Sequence, residues 1–202
     1  MKKIAIIACL LATAMAAGRA QESRQDVSIS GTAIIEPFIA SQTDVQVHSS
    51  YGLGALASYR FMLTPSSALE ANYGIDYQNR IRYILPQFPV GEKVLARTQD
   101  ITFAYVRSFN YKKFNPFAEA GPGAFIFVPV RNTGTTTLDV KRQTGIGAMY
   151  GAGVAYEISP SFDIRAEYRG FVVKVPTFGD TTFATNKYYN IFVPTIGVAY
   201  HF

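Results

Sequence analysis

The sequence predicts an all-β protein: a closed up-and-down antiparallel eight-stranded transmembrane β-barrel. Three observations predict it. The chain beyond its N-terminus divides into eight segments in which apolar and polar residues alternate with period two. The connections between those segments are long and short in turn. One face of the segments is too bulky to fit inside an eight-stranded barrel, while the other fits.

Composition removes the main competitors. Charged residues are 16 % of the 202 residues, against about 25 % in a typical soluble domain. Aromatics are 14 %, all Tyr and Phe, with no Trp. Neither a disordered chain nor a coiled coil has this make-up. Cys9 is the only cysteine, which excludes a disulfide scaffold. No later segment holds 18 consecutive apolar residues, so helical membrane spans are excluded.

Residues 1–20 read as a secretory signal peptide. Lys2 and Lys3 precede an apolar run from Ile4 to Ala17, interrupted only by Thr13, and a small-residue stretch ends at Ala20. Cleavage is expected after Ala20, with Ala16 as the alternative. The run is too short for a helical span, which takes about 20 residues. Cys9 lies inside the apolar core, which argues against lipidation. Residues 21–202 are then the barrel domain. Loss of Lys2, Lys3 and Arg19 leaves 16 Lys+Arg against 14 Asp+Glu, so the net charge falls from +5 to +2. The basic character belongs mostly to the leader, and a nucleic-acid partner loses its support.

The eight strands are expected at about 27–36, 49–62, 67–82, 96–109, 116–128, 144–158, 161–174 and 187–202. Thr64-Pro65-Ser66, Asn110 to Asn115 and Ser159-Pro160 make short turns. Residues 37–48, 83–95, 129–143 and 175–186 make longer loops, with Pro, Thr, Asn and Gly as in Arg131-Asn132-Thr133-Gly134. Long and short connections in this order are the layout of an outer-membrane barrel, with its short turns in the periplasm.

Face content sets the orientation. In the second strand Tyr51, Leu53, Ala55, Ala57, Tyr59 and Phe61 oppose Gly52, Gly54, Leu56, Ser58 and Arg60. In the third, Leu69, Ala71, Tyr73, Ile75 and Tyr77 oppose Glu70, Asn72, Gly74, Asp76 and Gln78. The sixth sets Ile146, Ala148, Tyr150, Ala152, Val154 and Tyr156 against Gly145, Gly147, Met149, Gly151, Gly153 and Glu157. In the seventh, Phe162, Ile164, Ala166, Tyr168 and Val172 alternate with Asp163, Arg165, Glu167 and Arg169. The bulky face belongs in lipid. Its cations, Arg97, Arg107 and Lys174, fall near expected strand ends, where long side chains reach the headgroups. Tyr51, Phe61, Tyr156, Phe162, Tyr200 and Phe202 suit aromatic girdles.

This pattern resembles the small eight-stranded outer-membrane barrels: the transmembrane domain of outer-membrane protein A, outer-membrane protein X and the opacity proteins. The last eight residues, Thr195-Ile196-Gly197-Val198-Ala199-Tyr200-His201-Phe202, resemble the C-terminal assembly signal of that class, with Thr195, Gly197, Tyr200 and Phe202 in its key positions. The resemblance covers the chain from about Val27 to Phe202. It implies residence in the cell outer membrane, amid its lipid bilayer and lipopolysaccharide, and recognition by the barrel-assembly machinery. It carries no periplasmic peptidoglycan-binding domain over, because the chain is expected to end with the eighth strand. A monomer is expected.

The inward face should hold a charge network of Arg60, Glu70, Asp76, Asp100, Glu119, Glu157, Asp163, Arg165, Glu167 and Arg169, with Glu36 also inward. Arginine forks on carboxylates would make it a polar plug. Eight acids against three bases leave an excess of five, which a dry core would not hold as charge. A hydrated, cation-preferring pore is therefore the alternative. No catalytic set, cofactor site or metal cluster is expected, and the protein is not expected to be an enzyme. The one candidate against this is His48-Ser49-Ser50 at the outer rim, as in barrels that deacylate lipid A. It is a single local pair where three groups in mutual reach are needed.

Overall fold

A computed structural model describes residues 24–36, 39–40, 46–48, 51–85, 88–132, 142–177 and 187–202. The expected signal peptide lies outside these residues. Among them ten strands form one antiparallel sheet: β1 (Gln25–Ile34), β2 (Ile39–Ala40), β3 (Gln46–His48), β4 (Gly52–Thr64), β5 (Ser67–Leu85), β6 (Phe88–Ser108), β7 (Phe114–Asn132), β8 (Gln143–Ser159), β9 (Phe162–Lys174) and β10 (Tyr188–His201). Eight of them make the wall, in the ring order β1-β4-β5-β6-β7-β8-β9-β10, and pairing of β10 with β1 closes the ring. The first and last strands meet side by side, with Asp26 opposite His201 and Thr32 opposite Thr195. Closure pairs the backbone of every wall strand on both sides, which hydrocarbon surroundings require.

The connections expected to be short are short: Pro65-Ser66, residues 109–113 and residues 160–161. Two of the expected long loops are shorter than anticipated. Residues 83–95 are not a loop, since β5 runs to Leu85 and β6 begins at Phe88, with Leu85 paired to Phe88. Likewise β7 runs on to Asn132. β-branched and aromatic residues such as Ile81, Tyr83, Val90 and Val94 continue the strand tendency through a segment that its polar residues made look like a loop. Here Arg97 is not at a strand end. It sits within β6, its guanidinium 5.0 Å from the centre of the Tyr77 ring.

A strand crossing a bilayer needs about 9–11 residues. β5, β6, β7 and β8 have 19, 21, 19 and 17, so their surplus stands beyond the hydrocarbon on the loop side. Register shifts between Asp76 and Asn79 on β5, and between Leu95 and Ala96 on β6, fall at one level of the wall. Bulges of this kind bend and twist a sheet, and here they mark where the barrel gives way to the projecting part. β2 and β3 add to that projection, His48 pairing with Arg82 and Gln46 with Ile84.

The alternation read from the sequence sets which side chains face out. Tyr51, Leu53, Tyr73, Ile101, Phe103, Ile146, Tyr168 and Ile196 are exposed on the outer wall, while Ser28, Ser58, Arg60, Glu70, Asp76, Asp163, Arg165 and Arg169 are buried inside. Ring pairs at the turn end, Phe114 with Tyr156 at 4.9 Å and Phe162 with Tyr200 at 5.1 Å, form the girdle there. Ala152 lies midway along the outer face of β8, between Ala118 and Tyr168. Ala152→Lys is expected to lower stability by about 2–4 kcal/mol, and Phe162→Lys beside the turn by about 0–1 kcal/mol. Urea unfolding in lipid vesicles measures both, and equal costs would contradict the assigned membrane depth.

Candidate functional site

The described residues place one dense set of chemistry-bearing side chains together, in the interior of the barrel. At its turn end two clusters face each other. One is apolar: Ala68, Val106, Phe117 and Ala155, with Met62 against them. The other is ionic. Arg165 forks onto Asp26, Nη1 and Nη2 donating to the two carboxylate oxygens at 2.8 Å each. Asp163 Oδ2 lies 4.0 Å from Arg165 and 2.8 Å from His201 Nε2. Asp26 is fully buried and Arg165 is 4 % exposed, so this fork is held away from solvent. It ties β1 to β9 across β10, at the seam that closes the barrel.

Further in, Arg60 Nε donates to Glu70 Oε2 at 2.5 Å, and its guanidinium stands 4.8 Å from the centre of the Phe117 ring. Arg169 occupies the middle. Its Nε is 3.6 Å from Glu119 Oε1 and 4.0 Å from Glu167 Oε1, its Nη2 donates to Thr102 Oγ1 at 3.0 Å, and Phe171 lies 5.1 Å away. Glycines on β8 make this possible. A Cβ at Gly151 would stand 2.7 Å from Glu119 Oε1, and one at Gly153 would stand 2.7 Å from Glu167 and from the Phe117 ring. The space they open is filled by Glu119 and Phe117.

The loop-side half of the interior is largely apolar, where the sequence leads to the expectation of a polar plug. Phe125, Phe127, Met149, Phe171, Val173 and Ile191 are buried there, and the Phe125 and Phe171 rings meet edge-on at 5.0 Å. β7 and the outer part of β9 turn their bulky residues inward. The Phe125 ring fits because its register partner on β8 is Gly145, and because a Cβ at Gly123 or at Gly147 would stand 3.1 or 3.2 Å from it. On β5 and β6, Asp76 accepts a hydrogen bond from Thr32 Oγ1 at 2.9 Å, and Asp100 Oδ1 has no hydrogen-bond partner.

Of the expected network, Arg60 with Glu70, Arg165 with Asp163, and Arg169 with Glu119 and Glu167 are brought together. Asp76 and Asp100 are inside but make no ion pair among the described residues. Glu157 is half-buried at the turn end and likewise joins no ion pair there. Glu36 is half-exposed, beyond the end of β1. Asp26 lies outside the strand expected from Val27, because β1 begins two residues earlier, at Gln25. The polar run Asp26, Ser28, Ser30, Thr32 at period two was the available signal. His201 belongs to the ionic cluster as well as to the terminal motif. Thr195 faces in and donates to the Val193 carbonyl at 3.1 Å. Gly197 lies where any Cβ would collide with Ser30 and the Ile29 carbonyl of β1, so β10 can close on β1 only with glycine there. Tyr200 lies between Phe162, whose ring is tilted against it, and Phe202, on which it stacks.

The described residues contain no group of three His, Cys, Asp or Glu side chains placed to hold a metal. Ser49 and Ser50 lie outside the described residues, and His48 is placed only by its backbone in β3.

The model of the family "outer membrane protein beta-barrel domain" matches residues 5–202. No curated protein matches the chain. Among solved structures, it is similar to Neisserial surface protein A, at 16 % identity and TM-score 0.60 over 89 % of this chain and 98 % of that one. It is also similar to OprG from Pseudomonas aeruginosa, at 12 % identity and TM-score 0.64 over 90 % and 97 %. The N-terminal barrel domain of Pseudomonas aeruginosa OprF aligns at 16 % identity and TM-score 0.53 over 90 % and 100 %. The closed ring of eight long strands, the greasy outer wall and the family match agree, and the chain belongs to the outer-membrane protein β-barrel domain family of Gram-negative bacteria.

Proposed function

We propose that this barrel is a non-conducting, non-enzymatic element of the outer membrane whose work is structural or done at the cell surface. The observation that carries the reading is the filled interior. Arg60, Glu70, Glu119 and Arg169 are each at most 4 % exposed, with apolar side chains on both sides of them along the axis. A continuous water path would leave those groups accessible. The projecting sheet of β5, β6 and β7, with β2 and β3 beside it, supports a role in contact with other molecules, because it extends the wall past the bilayer. The protein is expected to act as a monomer, surrounded by phospholipid and lipopolysaccharide. The terminal Thr195, Gly197, Tyr200 and Phe202 are expected to serve recognition by the barrel-assembly machinery.

One observation favours a narrow cation path instead. Asn72, Thr98 and Asp100, neighbours on β5 and β6, hold buried polar atoms without hydrogen-bond partners, and buried polar groups normally have them. Planar-bilayer recording separates the readings. The expected result is no stable conductance, and steady cation-preferring steps abolished by Asp100→Asn would establish the pore.

A further inference from the structure

A hollow of about 480 Å³ opens in the outer wall where β4, β5, β6 and β7 run side by side. That size lies within the range of about 300–1,000 Å³ usual for small-molecule sites. Tyr59, Phe61, Leu69, Phe103 and Tyr105 stand around it, and the small Ala71 and Ala120 between them leave the depression. The wall is also irregular here. Thr102 pairs with Gly123 and Tyr105 with Ala120, but the ladder is interrupted between them, where Pro122 has no N–H to donate.

A cation stands at one end of the hollow. Arg107 follows Tyr105 by two residues on the same outward face, toward the turns. Its Nη1 donates to Ser67 Oγ at 2.9 Å, and the Tyr105 hydroxyl donates to the same oxygen at 2.9 Å. The side chain that lines the hollow and the guanidinium at its lip are thus held through one atom. Among the described residues no carboxylate lies within ion-pair distance of Arg107. Lys112 and Lys113 are exposed in the adjoining turn and add positive charge at the same rim. An apolar slot ending at an anchored, unneutralised cation complements a hydrocarbon chain that ends in a phosphate.

We propose that this hollow seats one glycerophospholipid of the periplasmic leaflet, an acyl chain lying between Tyr59 and Tyr105 and the phosphate on Arg107. Short turns place this end of the barrel at the periplasmic side, where the leaflet is phospholipid. The seat differs from the general lipid annulus in fixing one molecule at one place.

Native mass spectrometry of the purified barrel, titrated with phosphatidylglycerol, phosphatidylethanolamine, lipid A and an uncharged diacylglycerol, tests this. One phospholipid should bind ahead of all others. Diacylglycerol, and phospholipid on Arg107→Gln, should each bind about fivefold to tenfold more weakly. Ala71→Leu should weaken every lipid by filling the slot, with Ala120→Leu as the second filling variant should Ala71→Leu not fold. Ala166→Leu on the β9 wall and Lys174→Gln at the other rim should change nothing. Graded, stepwise binding that is the same in all variants would show an annular shell only and overturn the proposal. So would preferential binding of lipid A, or undiminished phospholipid binding to Arg107→Gln.

Discussion

Arg165→Ala is expected to lower the stability of the barrel by about 3–5 kcal/mol, because it strands a buried carboxylate. The partner left behind is Asp26, fully buried and deprived of both 2.8 Å hydrogen bonds. His201 Nδ1, 3.8 Å from Asp26, is too far to replace the fork. Because the fork joins β1 to β9 across the closing seam, the loss should appear mainly as faster unfolding. Arg165→Lys keeps the charge but can offer only a point contact where the guanidinium made two parallel bonds, so its cost should fall between wild type and Ala. Equilibrium unfolding in urea, in detergent or lipid, measures all three. An unchanged midpoint for Arg165→Ala would mean that the fork contributes nothing and that the turn end is wet.

The second large effect is expected at Arg169. It is 1 % exposed and is the cation nearest both Glu119 and Glu167. Its deletion in Arg169→Ala should also cost about 3–5 kcal/mol. Arg169 packs against Phe171 as well, so part of the loss could come from packing rather than charge. Arg169→Met restores most of the volume without the charge. If the charge matters most, Met will be nearly as costly as Ala, and Glu119→Gln in the Met background will recover part of the loss. Recovery by Met alone would show that packing dominates. Residues 165 and 169 are four apart on one strand, roughly 13 Å at strand spacing, and share no ion-pair partner among the described residues. Their costs should therefore add to within about 0.5 kcal/mol. Strong non-additivity would mean that the interior behaves as one coupled network.

Much of the architecture could be read along the chain. Strand identity, the turn positions and the lipid-facing side follow from period-two alternation, since a one-residue slip would put Asp163, Arg165, Glu167 and Arg169 into hydrocarbon. The ends of the long strands could not be read that way. Outside the bilayer a strand loses the contrast between greasy and polar faces, so β5 and β6 continue through residues whose pattern reads as a loop. The candidate site was half legible. Which acids and bases point inward follows from parity, yet which of them meet depends on the stagger between strands far apart in sequence. Asp26 and Arg165 are 139 residues apart and become partners only through closure.

The sequence by itself determined that this chain is a membrane barrel, because each strand carries its own two faces and lipid accepts only one of them. The tertiary structure alone decided that Asp26 is the counter-ion of Arg165, that β7 can fill the interior with phenylalanine where β8 supplies glycine, and that Arg107 is held at the lip of an apolar hollow. Each of these depends on neighbours brought together by register and ring closure, a relation between strands that no single strand encodes.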